Sequence, residues 1–322
     1  FHPFTILIGS NNSAKTTVLE ALFLLPDPLR NFLSQSAFSI VGNSHVLIEN
    51  QIGATFLFNG YNSKEASIAL DGNELKMYRD RNNTTYFIKP NEANETKLKK
   101  IPVVLDEKTI LDSWLGSVDI NGYVSYYNRI GQPDEALLFN SYVLKYAFTY
   151  FRNHWIELAN TDILRRVAEE MSNFSHEKYS NFTLEPFLAN VYTMYALTLD
   201  GMRIRISDLG EGMQIYVAIK LLYNLINPKT LLWDDIEAHL NPRMLANIAG
   251  WLYEISSSGV KVVVTTHSLE AVKTLAGVAN DARIVLLSLE NGKLKSKEMG
   301  LDEVEDLQKA GIDVRLAEGF LI

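Results

Sequence analysis

One stretch limits the fold of this chain more than any other: Gly9-Ser10-Asn11-Asn12-Ser13-Ala14-Lys15-Thr16-Thr17, set between the apolar run Thr5-Ile6-Leu7-Ile8 and Val18-Leu19-Glu20-Ala21-Leu22. It reads as strand, phosphate loop and helix. The spacing G-x-x-x-x-A-K-T is that of a Walker A loop with Ala14 in the place of the last glycine. In such a loop the backbone N–H groups from Gly9 through Asn11, Asn12, Ser13 and Ala14 curl around a phosphate, and the helix that follows adds its positive N-terminal end. Lys15 would reach phosphate oxygens, the Thr16 hydroxyl would be a ligand for Mg²⁺, and Thr17 would continue the helix. The plain alternative is a polar turn that happens to carry a lysine. Three further motifs fall where the phosphate loop requires them.

The chain's 322 residues can bury a full α/β core with room for one substantial insertion. Hydrophobic residues at 47% and charged residues at 21% are ordinary for a globular protein. No apolar run approaches the length that crosses a bilayer, and the first residues lack the basic-then-apolar order of a signal peptide, so a cytoplasmic protein is expected. Zero cysteines exclude disulfides and thiolate metal sites. With a formal net charge of −8 the surface as a whole does not advertise nucleic-acid binding. Basic clusters at Lys97-Leu98-Lys99-Lys100, at Arg79 with Arg81, and along Lys293, Lys295 and Lys297 read first as solvated faces.

Phosphate-loop domains usually have an earlier edge strand, so the chain is expected to begin inside the natural one. The first helix should start near Thr16 and stop near Leu25, because Pro26 and Pro28 follow. Residues 1–43 form the Walker A segment. Short β-type runs follow over residues 44–130, at Val46-Leu47-Ile48, Ala54-Thr55-Phe56-Leu57-Phe58, 66–70, 75–78 and 85–88, with a turn signal at Asp71-Gly72-Asn73. They predict an antiparallel meander. Over residues 134–190 the periodicity predicts a helical insertion. From residue 191 to 322 strands alternate with helices, which means a mostly parallel sheet with right-handed crossovers.

Leu231-Leu232-Trp233-Asp234-Asp235 is an apolar strand ending in two carboxylates, the form of a Walker B element. Asp234 would hold Mg²⁺ and Asp235 would orient an attacking water. Two acids could also cap a helix, but a buried strand rarely ends in a charged pair without a cation nearby. Val262-Val263-Val264-Thr265-Thr266-His267 puts a histidine at another strand end, and such ends gather on the carboxyl edge of a parallel sheet. His267 could therefore reach the terminal phosphate. In Ser207-Asp208-Leu209-Gly210-Glu211-Gly212-Met213-Gln214 the glycines would let a backbone come close to something at a helix N-terminus.

With Walker A before it and Walker B after it, this last segment resembles the signature motif of ABC-type ATPases. The chain as a whole resembles a soluble ABC-type AAA-family ATPase of the group that includes the OLD, RecF and SMC/Rad50 heads. The matching residues are Gly9 to Thr16, Ser207 to Gln214, Asp234-Asp235, the D-loop-like Glu237-Ala238-His239-Leu240-Asn241-Pro242, and His267; Ala310-Gly311-Ile312-Asp313-Val314-Arg315 looks like the tail of archaeal members. The resemblance implies a P-loop NTPase fold, an ABC-type head with a mostly parallel core sheet, an antiparallel β-subdomain and a helical insertion. It implies ATP and Mg²⁺ as ligands and a homodimer that closes head to tail on ATP. Lys15, Thr16, Asp234, Asp235 and His267 would then act from one subunit, and Ser207, Gly210 and Gly212 from the other. An unidentified partner protein or nucleic acid, docking on the insertion, would be the object of the cycle; no membrane is involved.

Three departures qualify the resemblance. Ala14 brings a Cβ into the phosphate loop. Asp235 stands for the expected glutamate and is shorter by one carbon–carbon bond, about 1.5 Å. The Q-loop glutamine is open among Gln35, Gln51 and Gln132, with Gln132 chosen as a further metal ligand because it follows the strand that ends at Asn128-Arg129. Ala14 and Asp235 predict slow hydrolysis, or an ATP-binding switch that scarcely hydrolyses at all. A transporter subunit fits less well, since Ser-Asp-Leu-Gly-Glu-Gly departs from the compact Leu-Ser-Gly-Gly-Gln. The acidic metal-binding domain of OLD-type nucleases is not found in the sequence.

Overall fold

The structure is a computed structural model that describes residues 2–45, 57–58, 61–89, 114–118, 124–126, 136–188, 191–279 and 281–315; the strands at 114–118 and 124–126 are described by backbone alone. Two compact units divide the chain: Phe1–Leu19 with Glu135–Ile322, and Glu20–Asp134.

The first unit is built on a six-stranded sheet. Its strands are β1 (Phe4–Ile8), β9 (Ala136–Phe139), β13 (Thr230–Trp233), β14 (Lys261–Thr265), β15 (Arg283–Glu290) and β16 (Lys293–Met299), in the order β16-β15-β1-β14-β13-β9. All neighbours run parallel except β15 and β16, which form a hairpin. Parallel strands covered on both faces must be apolar throughout rather than alternating. Accordingly all five residues of β1 and all four of β9 are buried, and so are Leu231, Leu232 and Trp233 and the run from Val262 to Thr265. Because β1, β9, β13 and β14 share one direction, their carboxyl ends gather on one edge.

Helices return the chain between these strands. Helix α1 (Lys15–Leu24) follows β1, and α6 (Glu211–Ile226), α7 (Pro242–Ser257) and α8 (Leu269–Val278) precede or follow the later strands; α9 (Leu301–Lys309) comes after β16. Between β9 and the strand β10 (Tyr179–Leu188) lie α3 (Ser141–Asn153), α4 (Trp155–Ala159) and α5 (Ile163–Met171), whose buried side chains include Val143, Ala147, Phe151, Leu164 and Met171. Starts are set by side-chain caps: Asn140 accepts from the Val143 N–H, Asn241 from Met244, and Ser268 from Ala271. A second, three-stranded antiparallel sheet runs β10-β11-β12, from Tyr179–Leu188, Val191–Thr198 and Arg203–Arg205.

The helical insertion expected over residues 134–190 is therefore shorter. Helices occupy 141–171 only, with a core strand before them and a long antiparallel strand after. Ala136-Leu137-Leu138-Phe139 is apolar without interruption, which sequence periodicity cannot tell from a buried helical turn; the strand wins because β13 offers it a full parallel ladder. In β10 the aromatic and β-branched residues Tyr179, Phe182 and Thr183 pair with β11 across an irregular register.

The unit Glu20–Asp134 contains a five-stranded antiparallel sheet in the order β4-β5-β6-β7-β8, from Glu65–Leu70, Asn73–Arg79, Thr85–Ile88, Trp114–Val118 and Val124–Tyr126. The β4–β5 connection is the Asp71-Gly72 turn, with φ of 51° and 80°, the two positive values a two-residue hairpin turn needs. The same unit holds the two-residue strands β2 (Asn31–Phe32) and β3 (Gln35–Ser36) and the helix α2 (Ala37–Ser44). Of the run expected as a strand at 54–58, Leu57 and Phe58 are described and lie in a turn, in which the Tyr61 N–H bonds the Phe58 carbonyl. The expected strand at 46–48 lies outside the described residues, as does Gln51.

Candidate functional site

The phosphate-loop residues stand at the carboxyl end of β1. Gly9 has φ of 152°, and a Cβ there would lie 2.4 Å from the Leu287 carbonyl oxygen and 2.6 Å from the Ser13 Oγ, so no side chain fits. Asn12 and Ala14 both take φ of 65°, with Ser13 between them at negative φ. This alternation of hand turns successive N–H groups toward one concavity, a backbone nest suited to an anion. Asn11, Asn12, Thr16 and Thr17 are exposed, whereas Ser13 and Lys15 are buried. The Lys15 ammonium lies over its own loop, donating to the carbonyls of Gly9 at 3.1 Å and Ser10 at 2.9 Å and to the Ser13 Oγ at 3.2 Å. These are weakly held neutral acceptors that a phosphate could replace.

Beside the loop, the Thr16 hydroxyl is 3.0 and 3.1 Å from the two carboxylate oxygens of Asp234, although 218 positions separate them in sequence. Asp234 follows β13 directly, and Trp233 stands opposite Val264 in the β13–β14 ladder, so the next residues, Asp234 and Thr265, are neighbours. The Thr265 hydroxyl donates to Asp234 at 2.7 Å and accepts the Asp235 N–H at 2.8 Å. One fully buried hydroxyl thus orients both acids. Nothing in the sequence motif singled out Thr265; its position as the last residue of the strand before Thr266-His267 was the available signal.

Asp235 has φ of 49°, a left-handed conformation that aspartate tolerates better than most residues. Burial raises its pKa above the ordinary aspartate value, the neighbouring Asp234 and Glu237 push the same way, and His267 and Lys15 partly oppose them. The His267 Nε2 lies 3.5 Å from the Asp235 carboxylate. Lys15, Thr16, Asp234, Asp235 and His267 are therefore gathered on one sheet edge.

A hydroxyl that donates to a carboxylate oxygen 3.0 Å away gives a suitable pair of oxygens for Mg²⁺, which prefers a few protein oxygens and completes its shell from phosphate and water. Among the described residues no group of three or more His, Cys, Asp or Glu side chains could hold a metal by itself. Gln132, the expected further ligand, lies outside the described residues. The polar residue at the carboxyl end of the strand flanking β13 is Asn140, whose neighbour Phe139 accepts the Asp234 N–H through its carbonyl. Asn140 joins Lys145, Gln214, Asp234 and Asp235 around a cavity of about 530 Å³. It is not legible in the sequence, because the apolar run Leu137-Leu138-Phe139 carries no strand period and a strand-end residue is visible only once the strand is.

The signature segment belongs to the same unit, and its last residue, Gln214, lines the cavity beside Asp234 and Asp235. Ser207 is exposed in the 3₁₀ turn Ile206–Asp208, and Gly210 is the N-cap residue of α6. The two glycines differ in kind. A Cβ on Gly212 would meet the His239 carbonyl oxygen at 2.9 Å, so this glycine serves packing against the turn after Asp235. Around Gly210 a Cβ would find nothing within 4 Å. The expectation that both glycines admit an incoming backbone is thus narrowed to Gly210.

A family model described as "AAA domain, putative AbiEii toxin, Type IV TA system" matches residues 4–273. Comparison with curated protein sequences gave no match. Among solved structures, an SMC head bound to the C-winged helix domain of ScpA is similar at 15% identity, covering 94% of this chain and 92% of that one, with a TM-score of 0.50. The Smc head domain with an extended coiled coil from Pyrococcus furiosus is 13% identical over 95% of this chain and 92% of its own, with a TM-score of 0.45. At such identities the first likeness speaks for the fold, an ABC-type head with a P-loop core.

Proposed function

The chain belongs to this AAA-domain family, and on that premise we propose that it binds Mg²⁺-ATP, hydrolyses it slowly and dimerises head to tail as it does so. The single observation that carries the reading is the contact of Thr16 with Asp234, which joins the phosphate loop to the end of the apolar strand β13. The contact brings a hydroxyl and a carboxylate from positions 218 apart together beside the phosphate loop, the pair of oxygens that a Mg²⁺ ion next to a phosphate uses.

In this reading Lys15 gives up its loop carbonyls for phosphate oxygens, and Thr16 and Asp234 hold Mg²⁺. The ion, when bound, neutralises charge that develops on the phosphates. Asp235 orients a water and takes its proton, a task helped by a carboxyl whose pKa is raised toward neutrality. His267 holds the same water or the terminal phosphate from the other side. Ser207 and Gly210 are proposed to complete the site of a second copy, with Gly212 fixing the turn beneath them. Closure then follows ATP binding and opening follows hydrolysis, because the contacts to the terminal phosphate exist only in the closed dimer. The object of the cycle is proposed to be a partner protein or a nucleic acid, in the cytoplasm; the SMC head named above was solved with another protein's domain, which supports a search for a protein first.

A second reading, an ATP-binding switch with little turnover, is favoured by the short Asp235, which stands 3.5 Å from His267 rather than in tight contact with it. Sedimentation with and without Mg²⁺-ATP, together with phosphate release from the same sample, separates the two. Dimerisation with phosphate release, both lost in Lys15→Ala, is expected. Dimerisation without release selects the switch, and no binding of ATP at all refutes both.

A further inference from the structure

His267 has its side chain toward Asp235, but its backbone is held from two other places. Its N–H donates to the Glu237 carboxylate at 2.7 Å, and its carbonyl accepts from the Arg315 guanidinium at 2.5 Å. A main-chain unit at a strand end is usually satisfied by neutral groups; here both of its polar atoms are bound by ionised side chains, the stronger kind of bond. Those side chains come from 30 positions before and 48 positions after.

Arg315 is itself fixed. Its guanidinium forks onto both Asp313 oxygens at 2.9 and 2.6 Å, and its own N–H bonds Asp313 at 3.0 Å, a local loop that closes over the fully buried Val314. The second Glu237 oxygen is buried without a hydrogen-bond partner, and the carboxylate acts on Arg315 by charge alone. The three groups form a clamp, with Glu237 just past the paired acids, His267 in the middle, and Arg315 on a segment that none of the nucleotide motifs includes.

We infer that Arg315, held by Asp313, is a positioning residue for His267, and that residues 313–315 thereby set the geometry of the switch histidine against Asp235. The inference rests on the reading of His267 as the residue beside the terminal phosphate, but it concerns the placement of the ring and can be read without turnover. It also gives a route for control. A partner that lifted Asp313-Val314-Arg315 from its seat would loosen His267 while leaving the phosphate loop intact.

The test uses the whole chain with ring-labelled histidine, whose six resonances are separated by assigning His267 through its loss in His267→Ala. Arg315→Ala should shift or broaden the His267 resonance and leave those of His2, His154 and His176 in place. In steady-state assays kcat should fall by about tenfold to a hundredfold with KM for ATP little changed, the size expected for a misplaced catalytic group. In the His267→Ala background the same substitution should cost nothing further, since Arg315 acts only through that residue. Arg315→Lys should recover only part of the loss, as an ammonium cannot fork onto Asp313 and reach the carbonyl together. Asp313→Asn, which keeps the guanidinium but loosens it, should move the same resonance to a lesser degree, and serves if Arg315→Ala does not fold. An unmoved His267 resonance, or losses that add in the double variant, would overturn the inference. If the unaltered protein releases no phosphate, the hydrolysis reading fails by itself and the resonance still decides the role of Arg315.

Discussion

Ala14 is the residue at which sequence and backbone conflict most plainly. The loop requires a left-handed conformation there, φ of 65°, and the chain supplies a Cβ. For an L-residue this costs about 1–2 kcal/mol, and glycine would remove the cost while adding a smaller entropic one in the unfolded chain. Ala14→Gly should therefore stabilise the protein by about 0.5 kcal/mol net. Ala14→Val, β-branched at the same angle, should lose more than about 1 kcal/mol, and urea denaturation of the two variants reads both changes. A valine variant as stable as the parent would show that the loop is free to leave this conformation. The motif made Gly9, Lys15, Thr16, Asp234, Asp235 and His267 legible as a group, because each depends on residue type just past a strand end or at the start of the helix that follows β1. Glu237 and Arg315 fall in stretches that the resemblance names, and Thr265 in a strand, but what these side chains hold was illegible for the opposite reason. Their roles come from hydrogen bonds across 30 or more positions, which no local spacing records.

At the scale of elements, strands buried on both faces and helices with cap residues were readable, and so was the Asp71-Gly72 hairpin, since the turn demands those residue types. The span between residues 134 and 190 was not. A four-residue apolar strand such as β9 carries no period of its own, and its identity is settled by the neighbouring ladder. Inside the unit Glu20–Asp134, a tie between α1 and α2 makes a prediction of its own. His45, at the C-cap of α2, meets the Glu20 carboxylate at 2.9 Å, and this hydrogen bond raises the histidine pKa above its ordinary 6.5 against the opposing effect of burial. The folded state therefore holds the proton more tightly than the unfolded one. The stabilisation is complete below the unfolded value and is lost as pH rises through the higher folded value. With the His45 side chain 40% exposed, screening limits it to about 0.5 kcal/mol. Thermal melts from pH 5.5 to 8.5 should show a decline in this window that His45→Gln abolishes; an identical decline in the variant would assign it to other groups.

The molecule as a whole carries its nucleotide residues and its signature residues on one unit, with Ser207 and Gly210 exposed, and an exposed signature is what a head-to-tail pair would use. Each copy would then lend Ser207 and Gly210 to the other. The contrast between the two glycines makes the idea testable without damage to the fold. Gly212 cannot change, because a Cβ meets the His239 carbonyl oxygen at 2.9 Å. Gly210 can, with φ of −57° and ψ of 147°, angles open to any residue, and no atom within 4 Å of an added Cβ. Gly210→Glu should melt within about 0.5 kcal/mol of the parent, as surface substitutions do, and should bind ATP to the single copy with unchanged affinity. A carboxylate presented to the terminal phosphate of the second copy should nevertheless prevent closure, since like charges brought together out of water repel strongly. Sedimentation should thus find the variant monomeric in Mg²⁺-ATP, with phosphate release lost as well. If Gly210→Glu dimerises as the parent does, the N-terminus of α6 does not face a nucleotide in the pair, and the copies must meet through another surface.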